Sequence, residues 1–213
     1  MTNDRLALAL AQLKTRHRDL RQAIRARLGD FARVNPDAYF YELAYCLLTP
    51  QSRADHAEAV VDRLREGRFA ETGFDPEPLL RHKSHYIRFH RTKARHLLRM
   101  RAEFPPILQH LLNGSEAREL REWLVGNVKG LGQKEATHFL RNVGRNEGLA
   151  ILDRHILRNL KRYGVIRTLP PNLSKKTYLS IERRFQRFAE EIRIPLDELD
   201  LLFWSMETGE IRK

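Results

Sequence analysis

VKGLGQKEATHFLRNVGRNEGLAILDRHILRNLKRY, residues 128–163, is the stretch whose reading decides the fold. Val128-Lys129-Gly130-Leu131-Gly132 is a tight turn bracketed by glycines, and a helical pattern starts directly after it. Ala136, Phe139, Leu140 and Val143 recur at i, i+3, i+4 and i+7, one apolar stripe. Lys134, Thr137, His138 and Arg141 repeat that spacing on the other side and predict a polar face. Lys134 stands in the first turn of the helix, where unpaired backbone N–H groups already carry partial positive charge. That field disfavours a second positive charge, and a neutral amine is a nucleophile. Asp153 opens the next helical pattern, residues 153–163, which Gly164 caps.

Moving outward, the rest of the chain reads as short helices joined by short turns. Leu6, Leu10, Leu13, Leu20 and Ile24 make one helical face that Gly29 ends. Pro36 sits at a first helical position, and residues 37–48 (DAYFYELAYCLL) are apolar nearly all round, which predicts the most buried helix. Thr49-Pro50-Gln51-Ser52 breaks it, with Ser52 placed to cap a helix running to Glu66. Residues 88–103 carry Arg88, Arg91, Arg95 and Arg99 on one face, and Pro105-Pro106 stop that helix. Ser115 begins the helix of Trp123, which delivers the chain to the glycine turn. Residues 174–191 and 195–207 are the last two helices. No segment alternates with a period of two, so the expected class is all-α.

Composition narrows the partners. Lys+Arg of 39 against Asp+Glu of 27 gives a net charge of +12, which favours a polyanion. No apolar run approaches the ~18 residues of a membrane span. The first twenty residues have no cleavage-like site after their apolar run, so an intracellular protein is expected. Cys46 is the single cysteine, which excludes an internal disulfide and an intrachain four-cysteine cluster. Its place in the apolar run 43–48 predicts a buried, inert thiol. His82, His85, His90 and His96 sit among arginines without cysteine or carboxylate partners, so no zinc site is expected.

GLGQK followed by an Asp at this distance resembles the helix-hairpin-helix base-excision DNA glycosylases. KGLGQKEATHFLRNVG with AILDRHILR is similar to the 8-oxoguanine DNA glycosylases of the Ogg2 type, small enzymes without an added β domain. LLTPQS near residue 50, RFHRTKARHL near residue 90 and TGEIRK at 208–213 extend the likeness over most of the chain. The lone cysteine departs from the iron–sulfur branch of that superfamily.

The resemblance implies two helical lobes, about 36–144 with the hairpin and about 1–35 plus 145–213. It also implies excision of 8-oxoguanine from duplex DNA by a monomer that cleaves the strand as an abasic-site lyase. Lys134 matches the nucleophile of GxGxK; an amine stays bonded to C1′ as a Schiff base and permits β-elimination. Asp153, on the bland reading a helix N-cap, would also assist Lys134 and stabilise charge on the sugar. Gly130 and Gly132 would bring the backbone close to a phosphate, with a monovalent cation held by main-chain carbonyls and no organic cofactor. Gln51 either is an ordinary turn residue or fills the gap left by a flipped base. Arg88, Arg95 and Arg158 either form solvated faces or contact phosphates. Trp204 is a core residue or a stacking wall for the base, and Lys213 a terminal residue or a reader of the lesion. Two alternatives stay open: a related glycosylase for another damaged base, and a non-catalytic hairpin module that only binds DNA.

Overall fold

The computed structural model describes residues 3–211, and among these every regular element is helical. The α-helices are α1 Asn3–Ala32, α2 Tyr39–Leu48, α3 Ala54–Glu66, α4 Phe69–Thr72, α5 Glu77–Leu80 and α6 His90–Leu111. They continue with α7 Ala117–Asn127, α8 Gln133–Asn142, α9 Arg154–Arg162, α10 Lys175–Ile192 and α11 Leu196–Thr208. No described helix is long and apolar enough to cross a membrane. The chain forms two compact units, Val34–Arg145 and Met1–Arg33 with Asn146–Lys213. The first holds the hairpin and is called the hairpin unit; the second is the terminal unit.

The hairpin unit is built around α2, against which α3, α6 and α8 pack. Every residue of α2 except Tyr41 is buried, as its near-continuous apolar sequence predicts. Phe40 meets the rings of Phe69 and Phe104 at 6.1 and 5.0 Å, and Tyr39 meets Phe139 edge-on at 6.1 Å. Cys46, on the same helix, is wholly buried and takes part in no disulfide. Helix α6 does not stop at Pro105-Pro106 but runs through both to Leu111. Each interior proline costs about 3 kcal/mol. Both are exposed, on the side where water takes the carbonyls they leave unpaired, and burial of Ile107 and Leu111 holds the last turns to the core.

The terminal unit packs α1, α9 and α10 on α11. Phe203 is sandwiched, its ring stacked on Tyr163 at 5.4 Å and on Phe185 at 5.8 Å. Helix α1 passes Gly29 and ends at Ala32, because Phe31 belongs to the buried core. Burying that ring outweighs the ~1 kcal/mol a mid-helix glycine costs. His17 and Arg25 of α1 bond the buried Glu198 of α11 at 2.6 and 2.8 Å. Burial pushes the Glu198 carboxyl up, but the bonds from Arg25 and His17 outweigh it and hold the group below its usual range.

Candidate active site

The hairpin begins where α7 ends. Val128 N–H donates to Leu124 O at 2.8 Å, and Leu131 N–H closes the turn onto Val128 O at 3.2 Å. Gly130 has φ +100°, a conformation that L side chains rarely adopt, and a Cβ there would collide with Nδ1 of His96. The turn therefore demands glycine twice over, for its backbone and for the ring packed on it. Burial, with Lys129, Arg95 and Arg99 nearby, pushes the His96 imidazole below its ordinary range. Helix α8 starts at Gly132, which offers no side chain to cap it. Its first-turn N–H groups are thus left to whatever approaches the turn.

The expected polar face of α8 is not a solvated face. Thr137, His138, Arg141 and Asn142 are all buried, as is Gln133. Polar partners within the hairpin unit hold Gln133, Thr137 and Asn142, which is what burial of such groups requires, and His138 packs edge-on against the Tyr45 ring at 5.8 Å. Gln133 donates to Glu122 at 3.2 Å, Thr137 Oγ1 to Gln133 O at 2.9 Å, and Asn142 to Glu42 at 3.1 Å. The fully buried Arg121 reaches Thr137 at 3.4 Å. A helix locked on all sides is a rigid mount for Lys134, the half-buried side chain at its second position. Lys134 Nζ pairs with Glu135 Oε1 at 3.0 Å, a partner that helical spacing does not predict because adjacent residues do not usually face each other on a helix.

Two further elements of the hairpin unit carry expected site residues. Gln51 is exposed with φ +55°, in a turn closed by Ser52 N–H donating to Thr49 O at 3.0 Å. A side-chain residue in the left-handed region costs about 1 kcal/mol or more. Ser52 does not cap α3, whose N-cap is Arg53 without a side-chain bond; its Oγ accepts instead from Arg88 N–H at 3.1 Å. Arg88 is not on the α6 stripe, since that helix starts at His90 after the left-handed Phe89. It lies in the preceding turn with its guanidinium over the Phe89 ring, while Arg91, Arg95 and Arg99 are exposed on α6. Similarly, α7 takes Glu116 rather than Ser115 as its N-cap.

A second lysine stands beneath the Gln51 turn. Lys93, on the inner face of α6 with Ala94, Leu97 and Met100, is buried and donates to Leu48 O at 2.6 Å, Pro50 O at 2.7 Å and Ser52 Oγ at 3.1 Å. Burial pushes its amine down to about 8; Glu135 opposes that shift and Lys134 adds to it. Its signal in the sequence is a cation at an apolar position of a helical stripe (93, 97, 100), outside the glycine-turn motif.

In the terminal unit, Asp153 is the N-cap of α9. Its Oδ1 accepts from both His155 N–H and Ile156 N–H at 2.8 Å, and neither bond engages Oδ2. Trp204 is half-buried rather than part of the core, and it meets His155 edge-on at 6.4 Å. Glu207 ties the two helices there, accepting from Asn159 at 3.2 Å and lying 3.7 Å from His155 Nδ1. Arg158 is exposed on the same helix. Lys213 lies outside the described residues. No group of three or more potential metal-ligating side chains occurs among the described residues.

The chain matches the model of the family described as 8-oxoguanine DNA glycosylase over residues 24–194. It is 38% identical to the 8-oxoguanine DNA glycosylase/AP lyase of Fusobacterium nucleatum over 92% of this chain and 94% of that one. The enzyme of the same name from Methanocaldococcus jannaschii is 36% identical, with 86% of each chain covered. Among solved structures, the Thermotoga maritima 8-oxoguanine DNA glycosylase is similar with a TM-score of 0.85 at 30% identity, covering 98% of this chain and 100% of that one. The Methanocaldococcus jannaschii 8-oxoguanine glycosylase/lyase, in complex with a 15mer DNA containing 8-oxoguanine, gives 0.86 at 31%, covering 97% and 100%. With a glycine-turn hairpin, a lysine in the first turn after it and an aspartate opening the next long helix, the chain belongs to the 8-oxoguanine DNA glycosylase family of the helix-hairpin-helix class.

Proposed function

We propose that the protein removes 8-oxoguanine from duplex DNA and then cleaves the strand through a covalent imine, acting as an intracellular monomer. The observation that carries this reading is Lys134 at the second position of an uncapped, fully packed helix directly after the glycine turn. In this reading the turn and the free N–H groups of α8 take the DNA phosphate, and Lys134 Nζ attacks C1′ of the sugar. The N–C1′ bond forms as the glycosidic bond to N9 breaks, and the departing base takes up a proton. The resulting N,O-acetal opens to a protonated imine as the C1′–O4′ bond breaks and O4′ takes up a proton to become the C4′ hydroxyl. Loss of a C2′ proton then expels the 3′ phosphate by breaking the C3′–O bond, which nicks the strand.

Asp153 is the charge partner: its carboxylate stabilises the positive charge that grows on the sugar and takes part in freeing the Lys134 amine of its proton. Its two hydrogen bonds to the start of α9 fix where that charge sits. Gln51 fills the space of the flipped nucleotide, and Arg88, Arg95 and Arg158 contact phosphates. Trp204 stacks on the extruded base, and Lys213 keeps the recognition role that the family resemblance gives it. No organic cofactor is required. A monovalent cation beside the phosphate fits main-chain carbonyls of a turn that carries no side chain at Gly130, and no step depends on it.

The test is incubation with 8-oxoguanine duplex DNA and borohydride, which reduces the imine and leaves protein covalently attached to DNA. Wild type should trap; Lys134→Gln should bind duplex but not trap. Trapping by the mutant at the wild-type level removes Lys134 as nucleophile. Absence of both trapping and strand cleavage in wild type favours the non-catalytic hairpin module. A panel of other damaged bases separates 8-oxoguanine from the alternative substrates, since the pocket and not the catalytic pair sets that choice.

A further inference from the structure

Gln51 occupies a turn position where a left-handed residue is usually glycine. Glycine there would be unstrained but would present no side chain. Retaining a glutamine means that the surrounding structure must hold the turn in place. The local bonds are few: Thr49 N–H to Tyr45 O at 3.1 Å, Ser52 N–H to Thr49 O, Thr49 Oγ1 to Cys46 O at 3.1 Å, and Arg88 N–H to Ser52 Oγ. The remaining support is the ammonium of Lys93. Its three bonds reach one acceptor before the turn, Leu48 O, and two within it, Pro50 O and Ser52 Oγ. They bracket Gln51 on both sides in the chain. Ser52 also passes the restraint to the start of α6 through Arg88 N–H, so turn and helix are cross-linked by one hydroxyl.

We propose that Lys93 is a positioning residue for base excision: its three bonds clamp the 49–52 turn in the strained form that presents Gln51 to the duplex. The proposal rests on the reading of Gln51 as the residue that fills the gap left by the flipped base. Charge is needed for the clamp, because the ammonium offers three donors to three acceptors where the neutral amine offers two. Lys134 and Glu135 are the charged groups within electrostatic reach of Lys93, and the clamp engages all three of its ammonium protons. Lys93 is therefore not a second nucleophile.

The test is a double-mutant cycle on the single-turnover rate of 8-oxoguanine excision, with Gln51→Ala, Lys93→Met and the pair together. Residues that act through one another are non-additive, whereas independent sites add. Each single change should slow excision about tenfold, within reach of the few kcal/mol that base flipping costs, and the pair should be no slower than the worse single. Duplex Kd should stay within about threefold, since neither side chain supplies a phosphate charge. A 2-aminopurine placed beside the lesion should lose its flipping-dependent fluorescence rise in Lys93→Met as it does in Gln51→Ala. Should Lys93→Met fail to fold, Ser52→Ala removes one leg of the clamp and takes its place in the cycle. Additive losses overturn the Lys93 assignment alone, leaving Gln51 its role. An unimpaired Gln51→Ala removes the gap-filling reading and the clamp with it.

Discussion

Helices α8 and α9 start in opposite ways. Gly132 opens α8 without a side-chain cap, while Asp153 opens α9 with one oxygen accepting two backbone N–H groups. An uncapped start keeps its donors for an outside anion; a capped one has spent two of them and gained a fixed negative charge. The surroundings differ in the same sense. Helix α8 is buried from Ala136 to Asn142, polar residues included, and leaves only Lys134 and Glu135 half-buried, whereas α9 leaves Arg154 and Arg158 in solvent. One start is suited to hold phosphate and mount a nucleophile, the other to hold a carboxylate against growing positive charge. In the proposed reaction the two starts take chemically opposite parts.

The largest effect that would break this comparison concerns the cap. Asp153→Asn keeps an oxygen for His155 and Ile156 N–H and removes only the charge. Base excision should fall by roughly 10²-fold or more while the melting temperature stays near that of wild type. Asp153→Ala should lose about 1 kcal/mol of stability in addition. Equal activity of the Asn variant and wild type would leave Asp153 as a cap only.

At the uncapped start the sensitive position is the turn. Gly130→Ala forces a side chain into φ +100° and against His96. Such strain costs on the order of 1–3 kcal/mol, to be read as weaker duplex binding in fluorescence anisotropy. Adding His96→Ala should recover part of the loss, because it removes the collision but not the backbone strain. Full recovery would mean that the ring alone demands glycine.

The smallest effect is electrostatic and separates the two units. Arg88 and Arg95 stand near the hairpin side of the chain, Arg158 on α9, and all three are exposed. Each arginine that touches a phosphate should reduce the slope of log K against log salt by about 1 when replaced by alanine. Replacing Arg88 with Arg95 should therefore change the slope about twice as much as replacing Arg158. An unchanged slope returns that arginine to a solvated face.

Much of the molecule was legible from the chain. The apolar run 37–48 meant a buried helix, Gly-x-Gly before an amphipathic segment meant a hairpin turn, and Asp153 before Ile156, Leu157 and Leu160 meant a capped helix. These are local matters of period and capping, settled within a few turns of chain. Gly29 does not end its helix because burial of Phe31 outweighs the ~1 kcal/mol of a mid-helix glycine, and Pro105-Pro106 do not end theirs because water takes the freed carbonyls and burial of Ile107 and Leu111 offsets the cost of the prolines. Polar spacing on α8 marked a face correctly but not its surroundings. Whether Thr137 and Asn142 meet water or Arg121 and Glu42 depends on residues 16 and 100 positions away. The same holds for Lys93, a lysine whose three acceptors lie 41 to 45 residues earlier in the chain. Periodicity assigns a residue to a side of its own helix; only the packing of distant segments decides what that side touches, and so which charges are solvated and which are held for work.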